Sequence, residues 1–174
     1  MSDLSQRVAA AIRDVPDFPK PGILFKDITP VLADAELLAS SVAWMADVFR
    51  EASPSAVVGM ESRGFLFGAA AAVQLGVGFV PARKPGKLPW ETHAVSYDLE
   101  YGSNTLELHV DAVRPGQKVL IVDDLLATGG TARATVELVR AIGAEVVGAV
   151  FLLELGFLHG RAALDVPVKS LVIY

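Results

Sequence analysis

Residues 119–131 read Val-Leu-Ile-Val-Asp-Asp-Leu-Leu-Ala-Thr-Gly-Gly-Thr, an apolar run that ends in two adjacent acids and a turn of small residues. No other string in the chain limits the fold as much. The unbroken aliphatic run from Lys118 to Asp123 suits a strand buried on both faces, the environment of a parallel sheet. After the turn, Ala132, Val136, Val139 and Ala141 fall at helical spacing. They predict a helix over Gly129 to Ile142, closed by Gly143. A further apolar run, Val146 to Leu153, predicts the next strand, so the three elements form a parallel crossover unit.

The turn itself has a chemistry. Gly129 and Gly130 can take positive φ and leave the backbone open, so successive amide N–H groups and a helix N-terminus converge on one anion. Hydroxyls of Thr128 and Thr131 can donate to the same phosphate. Asp123 and Asp124 would repel it unless they face something else, and sugar hydroxyls or a phosphate-bound cation meet that requirement. No Lys follows the glycines as in GxxxxGK[ST], and GxGxxG is absent, which disfavours a nucleoside triphosphatase or a dinucleotide site.

The same grammar occurs upstream, with a strand at Ala56 to Met60, a helix at Gly64 to Leu75 and a strand at Phe79 to Ala82. Apolar spacing predicts helices over residues 3–14 and 34–51. Phe18 to Pro30 contains Pro19, Pro21 and Pro30, with Pro16 just before it, and is expected to be irregular, held by something other than a backbone ladder. Arg83 to Asn104 is a polar excursion with a possible hairpin from Val95–Leu99 to Leu106–His109, and Val168 to Ile173 can add a last strand. The chain has 174 residues, 52% of them hydrophobic, and no internal repeat, which fits one α/β domain over residues 1–174.

Net charge is −5, so nucleic-acid binding is not expected and any anion site must be local. There is no cysteine, hence no disulfide and no thiolate metal site. The N-terminus lacks an apolar secretion core, and the longest apolar tract, Gly64 to Val80, is interrupted by glycines and falls short of the ~20 residues of a membrane span. A cytoplasmic protein without membrane association is the expectation.

The string over residues 119–131 resembles the motif with which type I phosphoribosyltransferases bind 5-phosphoribosyl-1-diphosphate (PRPP). Four more segments, Phe18 to Pro30, Glu61 to Gly68, Arg83 to Pro89 and Leu99 to Gly102, are similar to the adenine-specific branch of that family. The resemblance implies a central, mostly parallel twisted sheet flanked by helices, a small N-terminal hood over about residues 1–30 and a flexible lid hairpin over about 84–105. It implies transfer of the 5-phosphoribosyl group from PRPP to adenine, giving AMP and diphosphate, with magnesium (Mg2+) carried mainly by PRPP, and a homodimer.

Residue roles follow from the same resemblance. Ala127, Thr128, Gly129, Gly130 and Thr131 would cradle the 5′-phosphate, and Asp123 and Asp124 would hold the ribose hydroxyls or act near the transition state. Arg63, Arg83, Lys84 and Lys87 would face the diphosphate, which gains charge as the C1–O bond breaks. Main-chain groups near Leu24 and Lys26, the ring of Phe25 and an apolar wall from Leu155 would recognise adenine. Glu100 would assist proton loss from adenine N9 or stabilise the cationic ribosyl, and Tyr101 would help close the lid. A cis peptide is expected between Glu61 and Ser62. Lys26 stands where many relatives have Arg, and Glu61 where some have Asp. The alternatives are the same chemistry on guanine, hypoxanthine or xanthine, or a PRPP-sensing regulator without catalysis. Glu100 and the basic stretch from Arg83 to Lys87 speak against the regulator. His93, His109, His159, Trp44 and Trp90 show no metal-ligand or triad spacing.

Overall fold

The computed structural model describes residues 3–99 and 102–174. In chain order the elements are α1 (Asp3–Ala11), β1 (Arg13–Pro16), β2 (Leu24–Asp27), α2 (Thr29–Ala33), α3 (Ala35–Asp47), β3 (Ala56–Met60), α4 (Gly64–Leu75) and β4 (Gly78–Ala82). They continue with β5 (Thr92–Leu99), β6 (Gly102–His109), β7 (Lys118–Leu126), α5 (Gly130–Ala141), β8 (Glu145–Glu154) and β9 (Val168–Ile173).

The main sheet has the order β4-β3-β7-β8-β9, with every neighbouring pair parallel. Side chains alternate between two cores, as a period of two requires. Val57, Leu120, Val122, Val150 and Leu152 pack with residues of α1, α3 and α4. Val58, Met60, Val119, Ile121 and Phe151 pack with α5 and with Tyr97, Leu106 and Leu108 of the β5-β6 hairpin. Both faces are therefore covered, which explains why these strands read as continuous apolar runs. The register of β7 against β8 shifts between Val119 and Leu120, so β8 carries one extra residue at Val147.

Local signals set the helix ends. Asp34 accepts hydrogen bonds from the Glu36 and Leu37 amides, both at 2.9 Å, and so starts α3 at Ala35. Gly76, at φ +70°, ends α4.

Two expectations need correction at the N-terminus. The first helix stops at Ala11, because Arg13–Pro16 leaves it to pair antiparallel with Leu24–Asp27. The Pro-rich segment is thus held partly by a backbone ladder, and Thr29–Ala33 is helical. Pro16 is tolerated because it terminates its strand, while Pro19 and Pro21 lie in the connection. The helix expected over 34–51 ends at Asp47 and is followed by a 3-10 turn at Arg50–Ala52. Strand β7 runs three residues past its expected end, through both acids to Leu126, with Leu125 opposite Leu153 and Leu126 opposite Glu154.

Candidate active site

A cleft of ≈ 270 Å³ opens at the C-terminal ends of β3 and β7, lined by residues 61–63 and 123–132. Open parallel sheets bind ligands at this edge because loops and helix N-termini gather there. Gly129 sits at φ +84° and caps α5, so the backbone turns sharply and the first amides of the helix point into the cleft. A second chain segment supports the turn from behind. A Cβ built on Gly160 would lie 2.0 Å from the Ala127 carbonyl oxygen, and one on Gly129 would lie 2.4 Å from the Gly160 carbonyl oxygen. The two backbones touch where no side chain fits.

Of the paired acids, Asp124 is 5% exposed and accepts a 2.5 Å hydrogen bond from Arg63 Nε. The same guanidinium lies over the Phe25 ring, 5.7 Å from its centroid. Asp123 Oδ1 accepts the Asp124 amide at 2.9 Å. It also lies where a Cβ on Gly64 would be, 2.6 Å away, so the glycine that opens α4 makes room for the carboxylate. Burial, and after it the neighbouring Asp124 carboxylate, pushes Asp123 well above its ordinary value of 3.8.

Glu61 organises the basic loop, and the peptide between Glu61 and Ser62 is cis, as the resemblance implied. Arg83 donates to Glu61 through Nε at 3.2 Å and Nη2 at 3.4 Å, and to the Lys87 carbonyl through Nη1 at 3.1 Å. The Lys84 amide donates to Glu61 Oε2 at 3.0 Å. Burial alone would raise the Glu61 carboxyl, but the Lys84 amide and the Arg83 guanidinium outweigh it and hold the acid below its ordinary value. Arg83 is thus tied to Glu61, which lines the cleft, but neither Arg83 nor the exposed Lys84 and Lys87 lines it.

Leu24, Phe25 and Lys26 lie on β2, outside the lining of the cleft but joined to it by the Phe25–Arg63 contact. Phe18 packs edge-on against Phe25 at 5.1 Å. Lys26 Nζ is 2.5 Å from Asp14 Oδ1 and 4.0 Å from the centroid of the Tyr174 ring, which leaves its main chain as the group to offer a ligand. Leu155 follows β8 and donates its amide to the Leu126 carbonyl at 2.9 Å, while the Gly156 amide donates to the Tyr174 carbonyl at 2.9 Å. Tyr174 therefore adjoins both the hood strand β2 and the segment bearing Leu155. Burial, with Asp14 adding to it, raises the Tyr174 phenol.

Glu100 and Tyr101 lie outside the described residues; in sequence they stand between β5 and β6. The described part of that hairpin is anchored, since Tyr97 is 6% exposed and its hydroxyl is 2.9 Å from Thr131 Oγ1. Sequence reasoning missed Tyr97, Asp27, Gly64, Gly160 and Tyr174. Asp27 and Gly64 stand inside segments already singled out and Tyr97 in the expected hairpin, each without a role of its own, whereas Gly160 and Tyr174 carried no signal. Asp27 accepts the Thr29 amide at 2.9 Å and its hydroxyl at 2.8 Å, and these bonds, the amide first, hold the carboxyl below its ordinary value.

The model of the phosphoribosyl transferase domain matches residues 31–170. Adenine phosphoribosyltransferase of Nitrosococcus oceani is 56% identical over 170 residues, which is 97% of this chain and 99% of that protein. The crystal structure of adenine phosphoribosyltransferase from Thermoanaerobacter pseudethanolicus superposes with a TM-score of 0.95 at 51% identity, over 98% of this chain and 99% of the other. The Saccharomyces cerevisiae enzyme, crystallised with an imino-altritol bisphosphate and adenine, superposes with a TM-score of 0.93 at 42% identity, over 98% of this chain and 99% of the other.

Proposed function

This chain belongs to the phosphoribosyl transferase family, and from that membership we propose that it transfers the 5-phosphoribosyl group of PRPP to adenine, releasing AMP and diphosphate. The observation that carries the reading is the cleft in which the Ala127–Thr131 turn faces the paired acids and Arg63. One end suits a terminal phosphate, the next groups suit sugar hydroxyls, and the guanidinium leads to an aromatic ring.

In this reading the amides and hydroxyls of Ala127 to Thr131 grip the 5′-phosphate, and Asp123 and Asp124 accept from the ribose hydroxyls. Arg63 and Arg83, with Lys84 and Lys87, neutralise the diphosphate as the C1–O bond breaks and negative charge builds on it. Adenine sits between the main chain of Leu24 and Lys26, the Phe25 ring and Leu155. A fixed N–H beside a fixed C=O suits its amino donor and ring acceptor and opposes a 6-oxo purine. Adenine N9 attacks C1 with inversion, and Glu100 assists loss of the N9 proton or stabilises the cationic ribosyl, with Tyr101 helping to shut out water.

Magnesium arrives with PRPP and lowers the charge of its diphosphate. The oxygen-rich pair Asp123 and Asp124 is chemically suited to stand near such a cation. A cytoplasmic homodimer completes the proposal, supported by the exposed Leu66 and Val73 on α4, beside the edge strand β4. No helix among the described residues is long and apolar enough to cross a membrane.

The test mixes the protein with magnesium, PRPP and a panel of purine bases and assays nucleotide and diphosphate. AMP should form from adenine far faster than any other nucleotide forms. A preference for guanine or hypoxanthine would overturn the assignment of the base, and PRPP binding without turnover would point to a regulator.

A further inference from the structure

One buried phenol, that of Tyr97, lies outside the roles assigned so far. Tyr97, on β5 of the hairpin, packs among Leu106, Leu108 and Ala132 and is 6% exposed. Its hydroxyl is 2.9 Å from Thr131 Oγ1, and Thr131 lines the cleft in the first turn of α5. The backbone of that turn is tied separately, since Thr135 Oγ1 donates to the Thr131 carbonyl at 2.9 Å.

Between two hydroxyls either can donate, but a ligand settles the direction. A phosphate dianion offers only acceptors, so a threonine hydroxyl facing it must donate to it. Thr131 has one proton. If that proton goes to the phosphate, the hydrogen bond between the two side chains survives only with the phenol donating to Thr131 Oγ1. The chain then runs from phenol to threonine to phosphate, each donor polarising the next. The contact with the phenol also fixes the position of Thr131 Oγ1 at the wall of the cleft.

We propose that Tyr97 is a positioning residue for the 5′-phosphate, acting through the Thr131 hydroxyl and joining occupancy of the phosphate turn to the hairpin that carries Glu100. This rests on the reading of the turn as the PRPP phosphate site. Tyr97 stands three residues before Glu100 in the sequence, on a strand ladder that pairs Tyr97 with Asn104 and Ser96 with Thr105. A phosphate that holds Thr131 therefore also holds the hairpin at the Tyr97–Asn104 pair, near its turn end.

The experiment compares wild type, Y97F, T131A and the double variant by calorimetric titration with three probes: PRPP, ribose 5-phosphate and diphosphate. Y97F keeps the ring and should stay folded, with its melting temperature lowered by no more than the loss of one hydrogen bond. It should weaken PRPP and ribose 5-phosphate by the same factor, roughly three- to tenfold as for one hydrogen bond, and leave diphosphate unchanged. In the presence of T131A, adding Y97F should weaken binding no further. Ribose 5-phosphate affinity in Y97F within about twofold of wild type would overturn the proposal, since a single hydrogen bond is worth more than that. Equal weakening of all three probes, or additive losses in the double variant, would overturn it too. The wild-type arm is separate, because failure of the parent protein to bind PRPP would sink the reading of the site itself.

Discussion

Arg83 and Asp123 show at the level of single side chains how this cleft is prepared for charge. Arg83 is held by Glu61 and the Lys87 carbonyl before any ligand is present, so its orientation is set in advance. Arg83→Ala should lower kcat/KM by roughly 10²–10³-fold, as loss of one charge-stabilising donor does, with melting temperature little changed. Turnover at the wild-type level would remove Arg83 from the chemistry. Asp123 makes a different prediction. An acid whose folded value lies above its unfolded value makes folding less favourable as pH rises from the unfolded value, here 3.8, through the folded one. Asp123→Asn removes that penalty. It should raise stability at neutral pH, a gain that disappears below pH 3.8, while weakening PRPP binding. Urea unfolding of both proteins at several pH values measures this, and a destabilised variant at pH 7.5 would contradict it. None of these partnerships was legible in the sequence, because Arg63 and Asp124, or Arg83 and Glu61, meet only after distant strands become neighbours.

The elements were legible to the extent that each was specified locally. The two strand-helix-strand units around α4 and α5 declare themselves through long apolar runs and helical stripes, and both formed close to the expected bounds. The hood did not, because β1 and β2 are short, carry proline at or near their ends, and exist only by pairing with each other. The segment after β8 was silent apart from Leu155, yet its backbone abuts the Ala127–Thr131 turn. At Gly160 the obstacle to a side chain is the Ala127 backbone, which has nowhere to move. Gly160→Ala should therefore destabilise the fold by about 1–3 kcal/mol and raise the KM for PRPP roughly tenfold or more. Gly156 is a useful contrast, since its Cβ would come no closer than 3.2 Å to Ile173 Cγ2 and the Tyr174 carbonyl. Gly156→Ala should be much milder in both measurements, and equal effects would show that the segment is merely intolerant of alanine.

Across the whole molecule, the sheet edge beyond β8 is pinned by one ion pair. Glu154 is 5% exposed and accepts from Arg161 Nη2 at 2.6 Å and from Ser170 Oγ at 2.6 Å, while Arg161 Nη1 donates to the Val168 carbonyl at 2.7 Å. Burial would raise the Glu154 carboxyl, but the Arg161 and Ser170 hydrogen bonds outweigh it and hold the group below its ordinary 4.5. A depressed acid contributes stability above its unfolded value and loses it as pH falls through the folded one. Arg161→Ala should cost about 2 kcal/mol near neutrality, less than the ~3–5 of a wholly buried pair because Arg161 is partly exposed. The difference from wild type should shrink as pH drops below 4.5, and a pH-independent difference in denaturant midpoints would refute the ionic origin. The short strap from Leu155 to Gly160 carries both the residue proposed to wall the purine and the glycine that abuts the Ala127 carbonyl, so in the proposed reading the two ends of the substrate rest on one piece of chain. Anyone reshaping this protein to accept a bulkier base by stretching that strap would find the far end of the substrate displaced as well. In that reading, selectivity for the base and alignment of the ribosyl donor are mechanically joined.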